Sequence, residues 1–421
     1  MIRPLVLRTA VAAALFASFC VRPSVAQEKT PSAKLLPPNV YAYVAAPDVA
    51  ELKTRVKASA FGELLKDPKL QPTYDQFKEK FAEGAGQVQQ NLGVTVEELM
   101  KVPSGEVAFA VCDIPGESIG MVAILGYGEN GSTVDTLIEK AEAALEKKGS
   151  TRTTEEFEGT EIVVYTKEAA AEDPATDDLD IDGEAPATGG AGKVAWFRKD
   201  DRIVVGNDVP VLEAVLARWD GSHGETFASS AAYTTILEKT KTDDRMPALI
   251  WYGNPIGGLQ AGLSRAPNIP PQFQIVAGIL PMLGLTNLKA VGGSVDVATK
   301  EFDSITKIFF YVEPPASGDL GLLGVFDFTP SEMAPPEWVT DSATGYFAAN
   351  WNVEGAVGSV QRLYETFNGP GSFDQLMQQA ADKPGGPGIN PRKDLLDQLS
   401  GMMHMANYPA AAPRVQPTGG N

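Results

Sequence analysis

The chain has 421 residues, 54 of them acidic and 35 basic, for a formal net charge of −19. That balance argues against nucleic acid or an anionic membrane surface as partner, because both are bound chiefly through basic patches. With 43% apolar residues and only two cysteines, the chain is globular rather than disordered, and its stability must come from a buried core.

Met1–Arg8 carries two arginines and no acid, Thr9–Phe19 is apolar but too short to span a bilayer, and Ser24-Val25-Ala26 is a small-x-small cleavage site. Residues 1–26 therefore read as a cleavable signal peptide, which sends the protein to the periplasm or out of the cell with Gln27 first. The alternative, a lipid anchor on Cys20, needs a small residue just before the cysteine, where this chain has Phe19. Cleavage removes Arg3, Arg8, Arg22 and no acid, leaving 32 basic residues against 54 acidic ones, a net charge of −22, and Cys112 as the one remaining cysteine. The most apolar later run, Ile275–Leu285, is short and broken by Pro281, so no integral membrane segment is expected after cleavage.

Five strands are predicted to feed helices directly. Val40–Ala45 precedes the helical spacing Val49, Leu52, Val56; Met121–Leu125 precedes Val134, Leu137, Ala141; Ile203–Val205 precedes Val209, Leu212, Val215. Ala248–Tyr252 precedes Ile256, Leu259, Leu263, and Tyr346–Ala349 precedes Val353, Ala356, Val360. The residues just before the first helical apolar positions are Asp48, Thr133, Asp208, Pro255 and Asn352, four side chains able to cap backbone N–H groups and one proline suited to a helix start. A worn internal repeat and generic strand-to-helix chemistry both produce this pattern.

Between these units, Glu106–Cys112 and Ile119–Leu125 form one hairpin, and Val194–Arg198 and Ile203–Val205 another across Lys199-Asp200-Asp201-Arg202. Strands joined so tightly are antiparallel. With further strands at Glu161–Tyr165, Ala290–Val297 and Ile305–Val312, the fold class is α+β, largely antiparallel sheets with helices packed on them. Helical segments at Leu70–Leu92, Ala231–Lys241 and Gln272–Leu285 should cover the sheet faces. The expected organisation is a signal peptide over 1–26, an α+β domain over 35–225 with an acidic loop at 170–192, a second α+β domain over 226–408, and a disordered tail over 409–421.

Leu36-Pro37-Pro38-Asn39-Val40-Tyr41-Ala42-Tyr43-Val44, Pro47-Asp48-Val49 and Phe61-Gly62-Glu63-Leu64-Leu65-Lys66-Asp67-Pro68 resemble a bacterial exported family catalogued as domain of unknown function 3352. Ala334-Pro335-Pro336-Glu337-Trp338-Val339, the run from Tyr346 through Asn350-Trp351-Asn352-Val353, and Asp394-Leu395-Leu396-Asp397-Gln398-Leu399-Ser400-Gly401 resemble its later landmarks. The resemblance spans most of the mature chain and implies export and an α+β fold. It also implies a chain that is short at its C-terminus. It carries no activity or catalytic residues to transfer.

Several constellations bear on chemistry. Gly126-Tyr127-Gly128-Glu129-Asn130-Gly131 matches the dinucleotide pattern G-x-G-x-x-G, but its strand belongs to an antiparallel hairpin and Glu129 would oppose phosphate. The expectation is a tight turn, with positive φ at Asn130-Gly131 and a helix capped by Ser132 or Thr133. Asp178, Asp180 and Asp182 alternate ahead of Gly183 as in the first half of a calcium loop, although Gly189 stands where a bidentate glutamate belongs and Pro186 interrupts. They are candidate ligands of a weak calcium site, or else the tip of a solvated acidic hairpin. His223 and His404 are the only histidines, no G-x-S-x-G elbow is present, and Glu97, Glu98, Glu155 and Glu156 are ordinary acidic pairs. Met402, Met403 and Met405 read as core or interface fillers rather than a copper site. Tyr41, Tyr43, Trp251, Tyr252, Tyr346, Phe347 and Trp351 gather at strand ends, where they either pack the core or line a groove for a sugar or peptide. The expected function is that of a non-catalytic extracytoplasmic binding or structural protein without a cofactor, with an unidentified protein or cell-envelope partner. A carboxylate-dependent secreted hydrolase is the alternative.

Overall fold

The computed structural model of the chain describes residues 30–409 except 73–74, 77–79, 81–94, 96–97, 99–100, 117–118, 168–191, 243–244, 266–277, 317–319, 329, 384–387 and 400. The expected signal peptide, the acidic segment over 170–191 with Asp178, Asp180 and Asp182, most of the helix expected over Leu70–Leu92 and the tail beyond Pro409 lie outside the described residues.

The architecture is α+β. Ten strands form one antiparallel sheet: β1 Val40–Ala46, β2 Val107–Asp113, β3 Ile119–Gly126, β4 Thr151–Phe157, β5 Thr160–Thr166, β6 Lys193–Lys199, β7 Arg202–Gly206, β8 Leu249–Gly253, β9 Leu288–Val297 and β10 Ser304–Val312. Their order across the sheet is β10-β9-β8-β1-β2-β3-β7-β6-β5-β4. A separate two-stranded sheet pairs β11, Gly345–Asn350, with β12, Met402–Asn407. Because β8, β9 and β10 extend the sheet made by β1–β7, one sheet runs across the domain boundary expected at 225/226. Both expected hairpins are present, β2–β3 and β6–β7, the latter turning on Asp200 and Asp201, both with positive φ.

Eight helices matter here: α1 Ser32–Leu35, α2 Val49–Ala58, α3 Gly131–Lys147, α4 Val209–Leu216, α5 Ala231–Thr240, α6 Pro255–Arg265, α7 Val353–Asn368 and α8 Ser372–Ala381. The Asp208 carboxylate accepts from Val209 N at 2.9 Å at the start of α4. Five of the eight α4 residues are then buried, the mark of a helix apolar on most sides. Val211, Leu212, Val215 and Leu216 press on the sheet face formed by Ala110 and Cys112 of β2, Val122 and Ile124 of β3 and Val204 of β7. Each such side chain contributes about 1.5–3 kcal/mol through loss of water contact. Tyr43, Phe227, Tyr233 and Tyr252 continue the core beneath α5, with ring centroids 4.3 Å apart for Phe227–Tyr233 and 4.9 Å for Phe227–Tyr252. On the opposite face α3 lays Val134 and Leu137 over Tyr127, Ile203 and Val102.

Two buried polar clusters fix the ends of this core. The Ser32 hydroxyl of α1 donates to Glu106 Oε1 at 2.6 Å and meets the Tyr43 hydroxyl at 2.9 Å, while Arg202 stands 3.6 Å from the same carboxylate. Burial pushes the Glu106 carboxyl up, against the opposing pull of Ser32 and Arg202. At the other end, Asp296 of β9 is fully buried between Arg55 of α2 and Arg245.

Candidate functional site

A cleft of ≈ 640 Å³ opens at one end of the large sheet, where β1 and β9 begin and β2, β8 and β10 end. A register shift between Val40 and Ala42 bulges β1 at Tyr41, and a bulge re-aims its side chain. The Tyr41 carbonyl accepts from Asn254 N at 2.7 Å, which ties the bulge to the start of α6. That helix begins because Asn254 Oδ1 accepts from Gly257 N at 2.8 Å and Pro255 occupies its first position. The i, i+4 spacing then lines the cleft with Gln260 and Ser264 and with Ala261 and Arg265.

The charged groups of the cleft engage one another. Arg265 forms an ion pair with Asp113 at the end of β2 and hydrogen-bonds the Tyr41 hydroxyl. Lys289 stands 3.9 Å from Glu313 and donates to the Thr286 carbonyl at 3.0 Å. Burial pushes the Tyr41 hydroxyl up, with Arg265 pulling the other way and the Asp113 charge adding to the rise. The Tyr252 hydroxyl is pushed up to about 12 by burial. Both phenols are therefore neutral near pH 7 and offer hydroxyl donors beside the Asn254 and Gln260 amides and the Ser230 hydroxyl. The cleft thus presents neutral hydrogen-bonding groups and internally matched charges.

The residues singled out in the sequence scatter across the molecule. Of the aromatic set, Tyr41 and Tyr252 line the cleft and Tyr43 joins Tyr252 in the core. Trp251 points to the other sheet face, Trp351 donates to the Val325 carbonyl at 2.7 Å, and Phe347 is exposed on β11. They form no single groove. His223 Nδ1 accepts from Glu225 N at 3.3 Å in a loop, and His404 Nδ1 meets the Tyr346 hydroxyl at 2.7 Å across β11–β12. Met403 and Met405 are exposed on one face of that ribbon. Glu98 binds Lys140 at 2.6 Å, and that bond leads in lowering its carboxyl to about 2. Glu155 and Glu156 lie on the exposed strand β4.

In the G-x-G-x-x-G loop, positive φ falls at Gly128 rather than at Asn130, and the helix begins at Gly131, before Ser132 and Thr133 can cap it. Asn130 occupies the cap position, but its amide donates to the Val102 carbonyl at 3.0 Å and so anchors the loop to the preceding segment. Tyr127 is buried under α3, with the Arg198 guanidinium 5.2 Å from its ring centroid.

Sequence reasoning missed Asp113, Arg265, Lys289 and Glu313, which come from four separate places in the chain with no shared motif. The β-bulge at Tyr41 likewise leaves no local sequence signature. No family model, curated protein or solved structure matches this chain.

Proposed function

We propose that this chain is an exported, non-catalytic binding protein, its export and fold in keeping with its resemblance to domain of unknown function 3352, and that the cleft beside α6 is its ligand site. The observation that carries this reading is the internal pairing of the cleft's charges, Arg265 with Asp113 and Lys289 with Glu313. A site so matched does not call for an ionic ligand. It favours a neutral, hydroxyl-rich molecule such as a short saccharide, whose hydroxyls meet the Gln260 and Asn254 amides and the phenols of Tyr41 and Tyr252. The acidic surface and the signal-peptide pattern support work outside the cytoplasm, with solubility as the role of the charge.

Thermal unfolding of the chain from Gln27 with a panel of neutral oligosaccharides, peptides and nucleotides tests this. A saccharide at 100 times its dissociation constant adds about 2.7 kcal/mol to the folded state. The resulting rise in melting temperature should shrink in Gln260→Ala, because one lost hydrogen bond weakens binding by about fivefold to tenfold. No shift with any saccharide refutes the reading. A second reading, a carboxylate-dependent hydrolase, draws on the presence of Asp113 and Glu313 in one cleft. Glycoside or ester turnover abolished by Asp113→Asn or Glu313→Gln would establish it.

A further inference from the structure

The chain enters the core almost as soon as the leader pattern ends. Only Gln27, Glu28 and Lys29 lie between the Ala26 cleavage position and Thr30. Thr30 is already held: its carbonyl accepts from Arg202 Nη1 at 2.7 Å, and its methyl approaches Gly221 so closely that a Cβ there would lie 2.9 Å away. Next, the Ser32 N–H donates to both oxygens of the Glu106 carboxylate, at 3.1 and 2.9 Å, and Ser32 is fully buried. Ala33, Leu35 and Leu36 then join the main core, the two leucines with no exposed surface, and the Leu36 carbonyl accepts from Phe227 N at 3.1 Å.

Every partner in this seat lies far downstream. Ser32 and Glu106 are 74 residues apart and Thr30 and Arg202 are 172 apart, with Gly221 and Phe227 later still. A chain that crosses a membrane N-terminus first therefore leaves Thr30–Leu36 unseated while Glu106, Arg202 and Phe227 have yet to follow, because contacts so distant in sequence form late. Seating then sets a limit of reach. Three extended residues span at most about 11 Å, so once Thr30 is seated the Ala26–Gln27 bond lies within that distance of the folded body. An endopeptidase takes the chain as an extended strand on both sides of the bond it cuts, and chain packed into a core is not offered in that form.

We propose, on the export reading of residues 1–26, that seating of Thr30–Leu36 gates removal of the leader. The Ala26–Gln27 bond is cut by a signal peptidase while this segment is still out of the core, and seating closes the bond to the enzyme. The hydrolysis adds one water and gives a carboxylate on Ala26 and an amine on Gln27. Processing thus comes first and completion of the core second, with Arg202 and Glu106 holding the new N-terminal segment after the cut.

The full chain, Met1–Asn421, presented to a purified bacterial signal peptidase in detergent tests this, once diluted straight from urea and once after refolding, with the cut located by mass spectrometry. The unfolded precursor should be cut after Ala26, and the refolded one at least about tenfold more slowly, because only its transiently opened fraction is open to the enzyme. Inserting about ten Gly/Ser residues between Lys29 and Thr30 leaves the seat intact and adds a reach of about 17 Å. That variant, shown by circular dichroism to be folded, should be cut within about twofold of the unfolded rate. An insertion of about five residues should fall between the two, and it gives the same reading should the longer one fail to fold. Equal rates for the unfolded and refolded precursor overturn the proposal and leave the leader reading standing. Folded insertion variants as resistant as the parent overturn it as well, since reach is then not the cause. An unfolded precursor left uncut after Ala26 removes the leader reading and the gate with it.

Discussion

Replacing Asp296 with asparagine keeps the shape of the side chain and deletes the charge on which two arginines depend. Asp296 Oδ1 accepts from Arg55 Nη1 at 2.8 Å, from Arg245 Nη2 at 3.2 Å and from Val297 N at 2.9 Å, and the residue is 0% exposed. Arg55 is 7% exposed, so the substitution leaves a buried guanidinium facing an amide. Breaking a buried pair from one side costs about 3–5 kcal/mol. The lower end applies, because Arg55 keeps Glu51 and the Met246 carbonyl and Arg245 is partly solvated. A loss of about 3 kcal/mol corresponds to a fall of roughly 4 °C in melting temperature for a chain of this length. Urea unfolding followed by circular dichroism should show a lower midpoint with an unchanged slope. Asp296→Leu combined with Arg55→Met should recover much of the loss, since an apolar replacement removes the desolvation cost with the pair. An Asp296→Asn protein within about 0.5 kcal/mol of wild type would refute the reasoning, for that is the scatter of neutral surface substitutions.

Cys112 is buried on the core face of β2, and burial pushes its thiol up to about 12. A thiol reagent at pH 8 should therefore label it only as fast as the protein unfolds, and immediate labelling of the folded protein would contradict the packing. Burial also raises the Glu106 carboxyl, so the folded chain holds that proton more tightly than the unfolded chain. Its contribution to stability is full below the unfolded carboxylate pKa of about 4.3 and is lost as pH rises through the higher folded value. The stability of wild type relative to Glu106→Gln, measured by urea midpoints from pH 4 to 7, should thus fall with rising pH; a constant or rising difference would show that Ser32 and Arg202 outweigh burial.

The local chemistry of the strand-to-helix junctions was legible in the sequence, since Asp48, Asp208 and Asn352 each accept a bond from the first helical turn. Pro255 opens α6, but the cap is Asn254, one residue earlier. At α3 the sequence pointed to Ser132 or Thr133, and the carbonyls of Lys101 and Val102, distant in sequence, decided the matter by drawing in Asn130. β4 escaped notice because Thr151–Phe157 lies at the sheet edge with six exposed residues, so no apolar alternation marks it. The middle strands read as nearly continuous apolar runs because their outward row is apolar as well, although Val44 and Phe109 in it are exposed. Trp251, Val44, Phe109, Ala123 and Val205 form one apolar row on the face away from α4 and α5. The pairing of β1 with β8, which merges the two expected domains, depends on strands some 200 residues apart, and no local pattern encodes it. The cleft is hidden for the same reason, because Tyr41, Asp113, Arg265 and Lys289 meet only after that pairing has formed.

Four side-chain-capped junctions and the uncapped start of α3 end in two topologies, and edge availability separates them. β3 is held by β2 and β7, and β7 by β3 and β6, so neither has an edge left for a returning strand. The helix after β3 accordingly leads to β4 at the far edge, and the helices after β7 lead to β8, which finds the open side of β1. β1, β8 and β11 each begin a unit with an edge free, and in each the chain comes back to fill it. Capping residues therefore decide where helices start, while strand edges decide where the chain goes next. By that rule the second edge of an opening strand is the place where another segment joins: β1 and β8 pair with each other there, and beside β11 the Phe328–Trp351 bridge and the bond from Asn352 N to the Asp327 carbonyl bring in a segment of the same chain.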